Sequence, residues 1–368
     1  MDKLLSVVFD FSMRKALMLR LKIQLLLCLF LVSTASATAL DRHGVILMYH
    51  HVSSSTPAST SVSVAQFEEH MAYVAKHHQV IPLPDMVSKL QKDQPLGDKA
   101  IAITFDDGFD NIFENAHPIL KRYGFNYTVF INPALIGKQP QQLTWDQVKA
   151  MAKEGVWFAN HSDKHDHLLT RHPGQSDKAW LEAVIQDIQS AETRLEQELG
   201  YSLKYLAYPF GEYNQTLAKS LTEHGYVAFG QHSGAVAPHS DFGALPRYPA
   251  AGIYANLSSL KVKLNTLAMP VLYAPLNPEL SYANRQPQWT TKIDTTDINP
   301  KQLQCYFKGE PIALRWETAD VFSLKADKPL NPGRARFNCT APNRQDPSRY
   351  YWYSQAFFVP TAEGKWLD

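Results

Sequence analysis

The sequence predicts an α/β fold, a parallel sheet or barrel followed by a small C-terminal β-sandwich, and three observations carry that prediction. Short apolar runs alternate with helical patterns from Val45 to about Met269, as βα units require. The runs are apolar throughout, the mark of strands covered on both faces. After Pro270 the helical period stops, and short β-leaning runs with a cysteine pair replace it.

The expected strands are Val45–Tyr49, Ala100–Phe105, Asn126–Ile131, Val156–Ala159, Tyr205–Ala207 and Tyr226–Phe229. Between them, Val64–His77 sets Phe67, Met71 and Val74 on one helical face, Trp145–Lys153 reads as a second helix, and Trp180–Leu199 as a third. In such folds the chemistry lies at the C-terminal ends of the strands. Pro270, Pro275, Pro278 and Pro287 then punctuate a linker. Beyond it TTKID, LQCYFKG, IALRW, ARFNC and RYYWYSQAFFV read as strands of a sandwich of about 80–90 residues, Ig-like or carbohydrate-binding-like. In the last run, alternate aromatics are expected to fill the sandwich core while the others cover its surface. The boundaries this implies are a leader over 1–39, an α/β domain over 40–272 and a sandwich over 280–368. The proline break further predicts that a chain ending near Asn277 folds alone.

Composition narrows the setting. The 368 residues are 45% hydrophobic and 19% charged, with a formal net charge of +1, which gives no reason to expect nucleic acid as a partner. Arg14, Lys15, Arg20 and Lys22 precede LLLCLFLV (Leu25–Val32), and STASATA follows. A basic stretch, a short apolar core and small residues make a secretory signal peptide, cleaved after Ala37 or Ala39, with Met13 or Met18 as alternative starts. The apolar core is shorter than the ~20 residues of a spanning helix, so no membrane span is expected after cleavage. Cys28 has no lipoprotein context. The expected location is periplasmic or extracellular. Export leaves Cys305 and Cys339 as a pair, most simply a disulfide, whose loop closure contributes about 3–4 kcal/mol.

Four strand-end segments stand out. The run VILMYHHVSSS delivers His50 and His51 at the tip of the first strand. ITFDDGFDN ends the second in adjacent carboxylates, Asp106 and Asp107; a turn needs only one Asp, and two anions repel unless a cation or proton separates them. NHSDKHDHL places His161 and His165 at i, i+4, where one helical turn would set both on one face, leaving His167 a bystander. One Asp with two His is a ligand set for catalytic zinc or a similar divalent ion. YLAYPFGEYN and ALPRYP add rigid turns, the second fixing Arg247 between prolines.

TFDDG, then H-S-x-x-H, then a Pro-aromatic-Gly turn resembles the polysaccharide deacetylase family, the NodB-homology or carbohydrate esterase family 4 enzymes, over roughly Val45 to Ile253. YPFGEYN, LPRYP and YHHV look most like the secreted branch acting on poly-β-1,6-N-acetylglucosamine. The resemblance implies a distorted (β/α) barrel of the NodB type with fewer than eight strands. It implies Asp107, His161 and His165 as metal ligands, for zinc or alternatively cobalt or nickel. Asp106 would be the general base and the Phe210 backbone N–H an oxyanion donor.

The chain departs from the family pattern twice. No histidine follows His239, so the usual late histidine acid is missing, and the branch resembled implies His50 as general acid; His232, in FGQHSGAV, competes for that role. His51 would alternate to the other side of the chain as a structural residue. Ala207 stands where the family has an Arg, and Arg247 would supply the guanidinium that holds Asp106. The expected function is metal-dependent removal of N-acetyl groups from a β-linked N-acetylglucosamine polysaccharide. Deacetylation of an O-acetylated glycan or peptidoglycan, or carbohydrate binding without turnover, are the alternatives. Oligomeric state is not readable.

Overall fold

All six apolar runs upstream of Pro270 form strands: β1 (Gly44–Tyr49), β2 (Ala100–Phe105), β3 (Thr128–Ile131), β4 (Trp157–Asn160), β5 (Tyr205–Ala207) and β6 (Val227–Phe229). The computed structural model describes residues 39–274 and 277–367; apart from Ala39, the expected leader lies outside the described residues. A short seventh strand, β7 (Tyr248–Pro249), escaped the sequence reading. The strands are parallel in the order β7-β1-β2-β3-β4-β5-β6, with Gln79–Val80 pairing on β2 off this path. Leu245 bridges Phe229 at the far edge. The segment 245–249 therefore reaches from β6 to β1 and curls the sheet into a distorted (β/α) barrel.

Residue parity along the strands decides what faces inward. Ile46, Ala102, Phe130, Ala159, Ala207 and Phe229, one from each of β1 to β6, share a core with Leu83, Met86 and Leu90 of the helix Leu83–Gln91. Val45, Leu47 and Tyr49 instead join Phe67, Met71 and Val74 of the helix Val64–His77 on the opposite face. That helix starts in a capping box, with Ser63 accepting from Gln66 N–H and Gln66 reaching back. Trp145–Lys153 starts the same way from Thr144. The third expected helix begins three residues early, at Asp177, because Ser176 caps it by accepting from Ala179 N–H; Gly200, at φ 78°, ends it.

Past Pro270 the chain forms two antiparallel sheets. One contains β8 (Gln304–Phe307), β9 (Gly333–Pro342) and β10 (Tyr350–Val359), and the other is built on Gln288–Ile293 and Val321–Lys325. Trp289, Phe322, Phe337 and Phe357 fill the space between them. Cys305 and Cys339 lie opposite each other on β8 and β9 and are bonded. Leu267–Ala268 and Val271–Tyr273, upstream of residue 280, already belong to these sheets, and Leu267–Ala268 pairs directly with β10. The described residues from Ala39 onward cluster as one compact unit. On β10, Tyr351, Phe357 and Val359 face the sandwich core, while Trp352 and Phe358 turn to the barrel, against Tyr248 and Tyr213. The second face of this strand is thus an internal seam as well as a surface.

Candidate active site

The inward parity of the barrel continues through the strand ends. Four residues beyond Ala102, and two beyond Thr104, comes Asp106; two beyond Phe130 comes Asn132; two beyond Ala159 comes His161; four beyond Ile46 comes His50. The same period turns His51 away, where its ring stacks on Phe109 at 3.6 Å and its Nδ1 pairs with Asn111 Nδ2 at 2.9 Å.

Asp106 is fully buried and accepts two hydrogen bonds from Arg247, Nη1 to Oδ1 and Nη2 to Oδ2, each 2.7 Å. Arg247, equally buried, also donates to Gly230 O at 3.0 Å and Thr104 Oγ1 at 3.2 Å. Its guanidinium lies over Phe130 at 5.3 Å. Burial by itself would raise the Asp106 carboxyl, but the Arg247 guanidinium and His161 outweigh it and hold the group below the usual carboxylate range. His50 Nε2 lies 4.0 Å from Asp106 Oδ2. Burial pushes the His50 imidazole down, against the pull of Asp107 and Asp106.

Asp107, just past the strand end, lies in the left-handed region at φ 72°. Its Oδ1 stands 3.1 Å from His161 Nε2 and 3.2 Å from His165 Nε2, and the three ligand atoms lie within 4.8 Å of one another. The two histidines do not share a helical turn, contrary to the expectation from their spacing. Residues 161–168 form a loop in which Ser162 and His165 both take positive φ, 65° and 61°. Asn132 and Asn160 brace it. The Asn132 amide donates to the carbonyls of His161 and Ser162, and Asn160 Oδ1 accepts from Ser162 N–H at 2.8 Å. Sequence reasoning missed both asparagines; their one signal was a strand-end position, with inward parity for Asn132 and outward parity for Asn160, whose amide reaches Ile188 O and Glu192 Oε2 of the Asp177–Leu199 helix.

These residues fit a cation. His161 Nδ1 lies 2.7 Å from the Ala207 carbonyl, which can only accept, so the proton is on Nδ1 and Nε2 carries a lone pair. That lone pair faces Asp107 Oδ1, and among the described residues neither buried atom has a hydrogen-bond partner. Two acceptors 3.1 Å apart repel unless a positive charge lies between them. Histidine nitrogen and carboxylate oxygen suit zinc and its neighbours in the transition series.

Phe210 sits in the Pro209–Gly211 turn at φ 58°, ψ 1°. His165 meets its ring edge-on at 4.6 Å, and His167 stacks on it at 3.9 Å. His167, expected to be a bystander, is anchored in turn by the buried Glu212, Nδ1 to Oε2 at 2.8 Å. His232 is directed elsewhere. Its carbonyl accepts from Arg247 N–H, its ring packs beside Gly230 and Tyr213, and burial with Arg336 and Arg247 nearby pushes it down to about 3.

Fold and site together are similar to those of a polysaccharide deacetylase domain of the NodB-homology type. Residues 93–229 match the polysaccharide deacetylase family model. YxkH of Bacillus subtilis (strain 168), named as a candidate polysaccharide deacetylase, is 31% identical over 184 residues, 49% of this chain and 61% of that protein. The poly-β-1,6-N-acetyl-D-glucosamine N-deacetylase of Staphylococcus aureus (strain MRSA252) is 28% identical over 226 residues, 58% of this chain and 78% of that one. Among solved structures, IcaB from Ammonifex degensii shares the fold with a TM-score of 0.54 at 20% identity, covering 61% of this chain and 97% of its own. The Streptococcus pyogenes deacetylase PplD does so at 0.54 and 21%, covering 60% and 98%.

Proposed function

We propose that the chain is an exported, divalent-metal-dependent hydrolase that removes N-acetyl groups from a β-linked N-acetylglucosamine polysaccharide. The observation that carries the reading is the convergence of Asp107, His161 and His165 beside an Asp106 gripped by Arg247. Asp107, His161 and His165 would hold the metal, zinc or alternatively cobalt or nickel. When bound, the metal supplies a Lewis acid at the acetamide carbonyl and lowers the pKa of water at the site.

Asp106 is the base. Arg247 keeps it ionised and fixes both of its oxygens, so it takes a proton from the attacking water in a set direction. As the carbonyl oxygen gains charge, the Phe210 N–H donates to it. When the C–N bond breaks, His50 gives its proton to the departing amine, and acetate is left. The 4.0 Å between His50 Nε2 and Asp106 Oδ2 sets acid and base side by side at one barrel mouth. The name of the staphylococcal relative supports poly-β-1,6-N-acetylglucosamine as the polymer. In that reading the region beyond residue 280 acts as an accessory domain on the 40–272 catalytic domain.

The test is acetate release by chelated and metal-reloaded protein from β-1,6-linked N-acetylglucosamine oligomers, O-acetylated glycans and peptidoglycan. Release from the first, restored by Zn²⁺, Co²⁺ or Ni²⁺, is expected. Equal activity after chelation, or none on any glycan, would overturn the reading.

A further inference from the structure

Phe210 is one of the site residues whose backbone lies in the left-handed region. A side chain with a β-carbon disfavours φ 58°, and such residues persist where their surroundings over-determine them. The barrel supplies part of that support through His165 and His167, which hold the ring. The rest comes from the C-terminal sheet. Arg334, on β9, donates from Nη1 to the Phe210 carbonyl at 2.9 Å and to Gln231 Oε1 at 3.3 Å. Arg336, two residues on and on the same face, donates to the Gln231 carbonyl at 3.4 Å and reaches Tyr254 Oη at 3.3 Å.

A carbonyl and an N–H flanking one Cα are coupled through φ and ψ. Fixing the Phe210 carbonyl from outside therefore limits where its N–H can point. We propose that Arg334 is a positioning residue for deacetylation, holding the Phe210 backbone so that its N–H meets the developing oxyanion. This rests on the function proposed above. It gives the C-terminal sheet a part in the chemistry although no residue of that sheet touches the reacting atoms.

Arg334 is exposed, and its two hydrogen bonds lie at the surface, where such bonds add little to stability, so its removal should leave the fold intact. Steady-state kinetics on an N-acetylglucosamine oligomer should show Arg334→Ala with kcat reduced by about 10–100-fold, a misdirected oxyanion donor costing somewhat less than a deleted one. KM, bound metal and melting temperature should stay at the parent values, and Arg334→Lys should recover part of kcat. A parent-like kcat for Arg334→Ala overturns the proposal. So does a kcat loss that merely tracks lost metal or lowered melting temperature, because that is a structural role. A parent protein that releases no acetate fails the deacetylase reading itself; an active parent with an unaffected variant fails only this one.

Discussion

Arg247 and Asp106 form a closed, two-armed pair in which both hydrogen bonds are 2.7 Å and neither side chain is exposed. Such a pair is costly to break on one side. Arg247→Ala strands a buried carboxylate and should destabilise the protein by about 3–5 kcal/mol. Arg247→Lys keeps the charge but not the fork. In that variant burial regains weight at Asp106, its carboxyl rises, and the acid limb of the kcat/KM profile should move to higher pH. An unmoved limb would separate Arg247 from the base.

Metal binding should depend on the histidine pair. His161→Ala or His165→Ala removes a ligand from a set whose atoms lie within 4.8 Å, so metal content by elemental analysis and activity should both be lost while circular dichroism stays native. Full activity in either variant would sink the ligand assignment.

The two candidate acids can be told apart by leaving group. His50→Ala should retain metal but lose about 10²–10⁴ in kcat on amides, with activated esters much less affected because their leaving groups need no proton. His232→Ala should resemble the parent on both, its ring lying beside Gly230 and Tyr213. The reverse pattern would move the role to His232.

Acid should loosen the seam between barrel and sandwich. His43 Nδ1 accepts the Ala268 N–H at 3.0 Å, and burial, with His239 and Arg349 close by, pushes its imidazole down to about 3. The unfolded chain takes up a proton near the ordinary value of 6.5 and the folded chain does not. Stability is therefore whole above that pH and falls as pH drops from there toward 3, by about 2 kcal/mol from this group by pH 5. His51, His78 and His232, also pushed down, act in the same direction. Urea midpoints for the parent and His43→Asn at pH 7.5 and 5 should show a smaller loss in the variant; identical losses would remove His43 from the account.

Shortening the chain tests the seam from the other side. The proline-rich stretch suggested independent folding up to Asn277. The pairing of Leu267–Ala268 with β10, and the packing of Trp352 on Tyr248 and Phe358 on Tyr213, instead predict lost solubility or a clearly lowered melting temperature for that truncation. Parent-like melting would restore the modular view.

Buried strands were legible because long apolar runs leave few other readings, as with Ala100–Phe105. Tyr248–Pro249 was not, being two residues long and half proline. The i, i+4 spacing of His161 and His165 suggested a helical turn, but a braced loop with two left-handed residues brings them together instead. Composition offers no hint of such a loop, since the amides that hold it, on Asn132 and Asn160, look like ordinary turn residues. The reach of Arg334 to Phe210 spans 124 positions, beyond any local pattern.

The segment 245–249 closes the barrel and also carries Arg247 into it. Tyr248 is in register with Leu47 and Pro249 with Met48, so inserting or deleting a single residue there would exchange the two sides of the strand. Arg247 would leave the mouth at the same moment that the closure failed. For anyone redesigning this scaffold, loop grafts and indels belong elsewhere on the rim, because at this stretch shape and reactivity are encoded by the same few letters and can only be changed together.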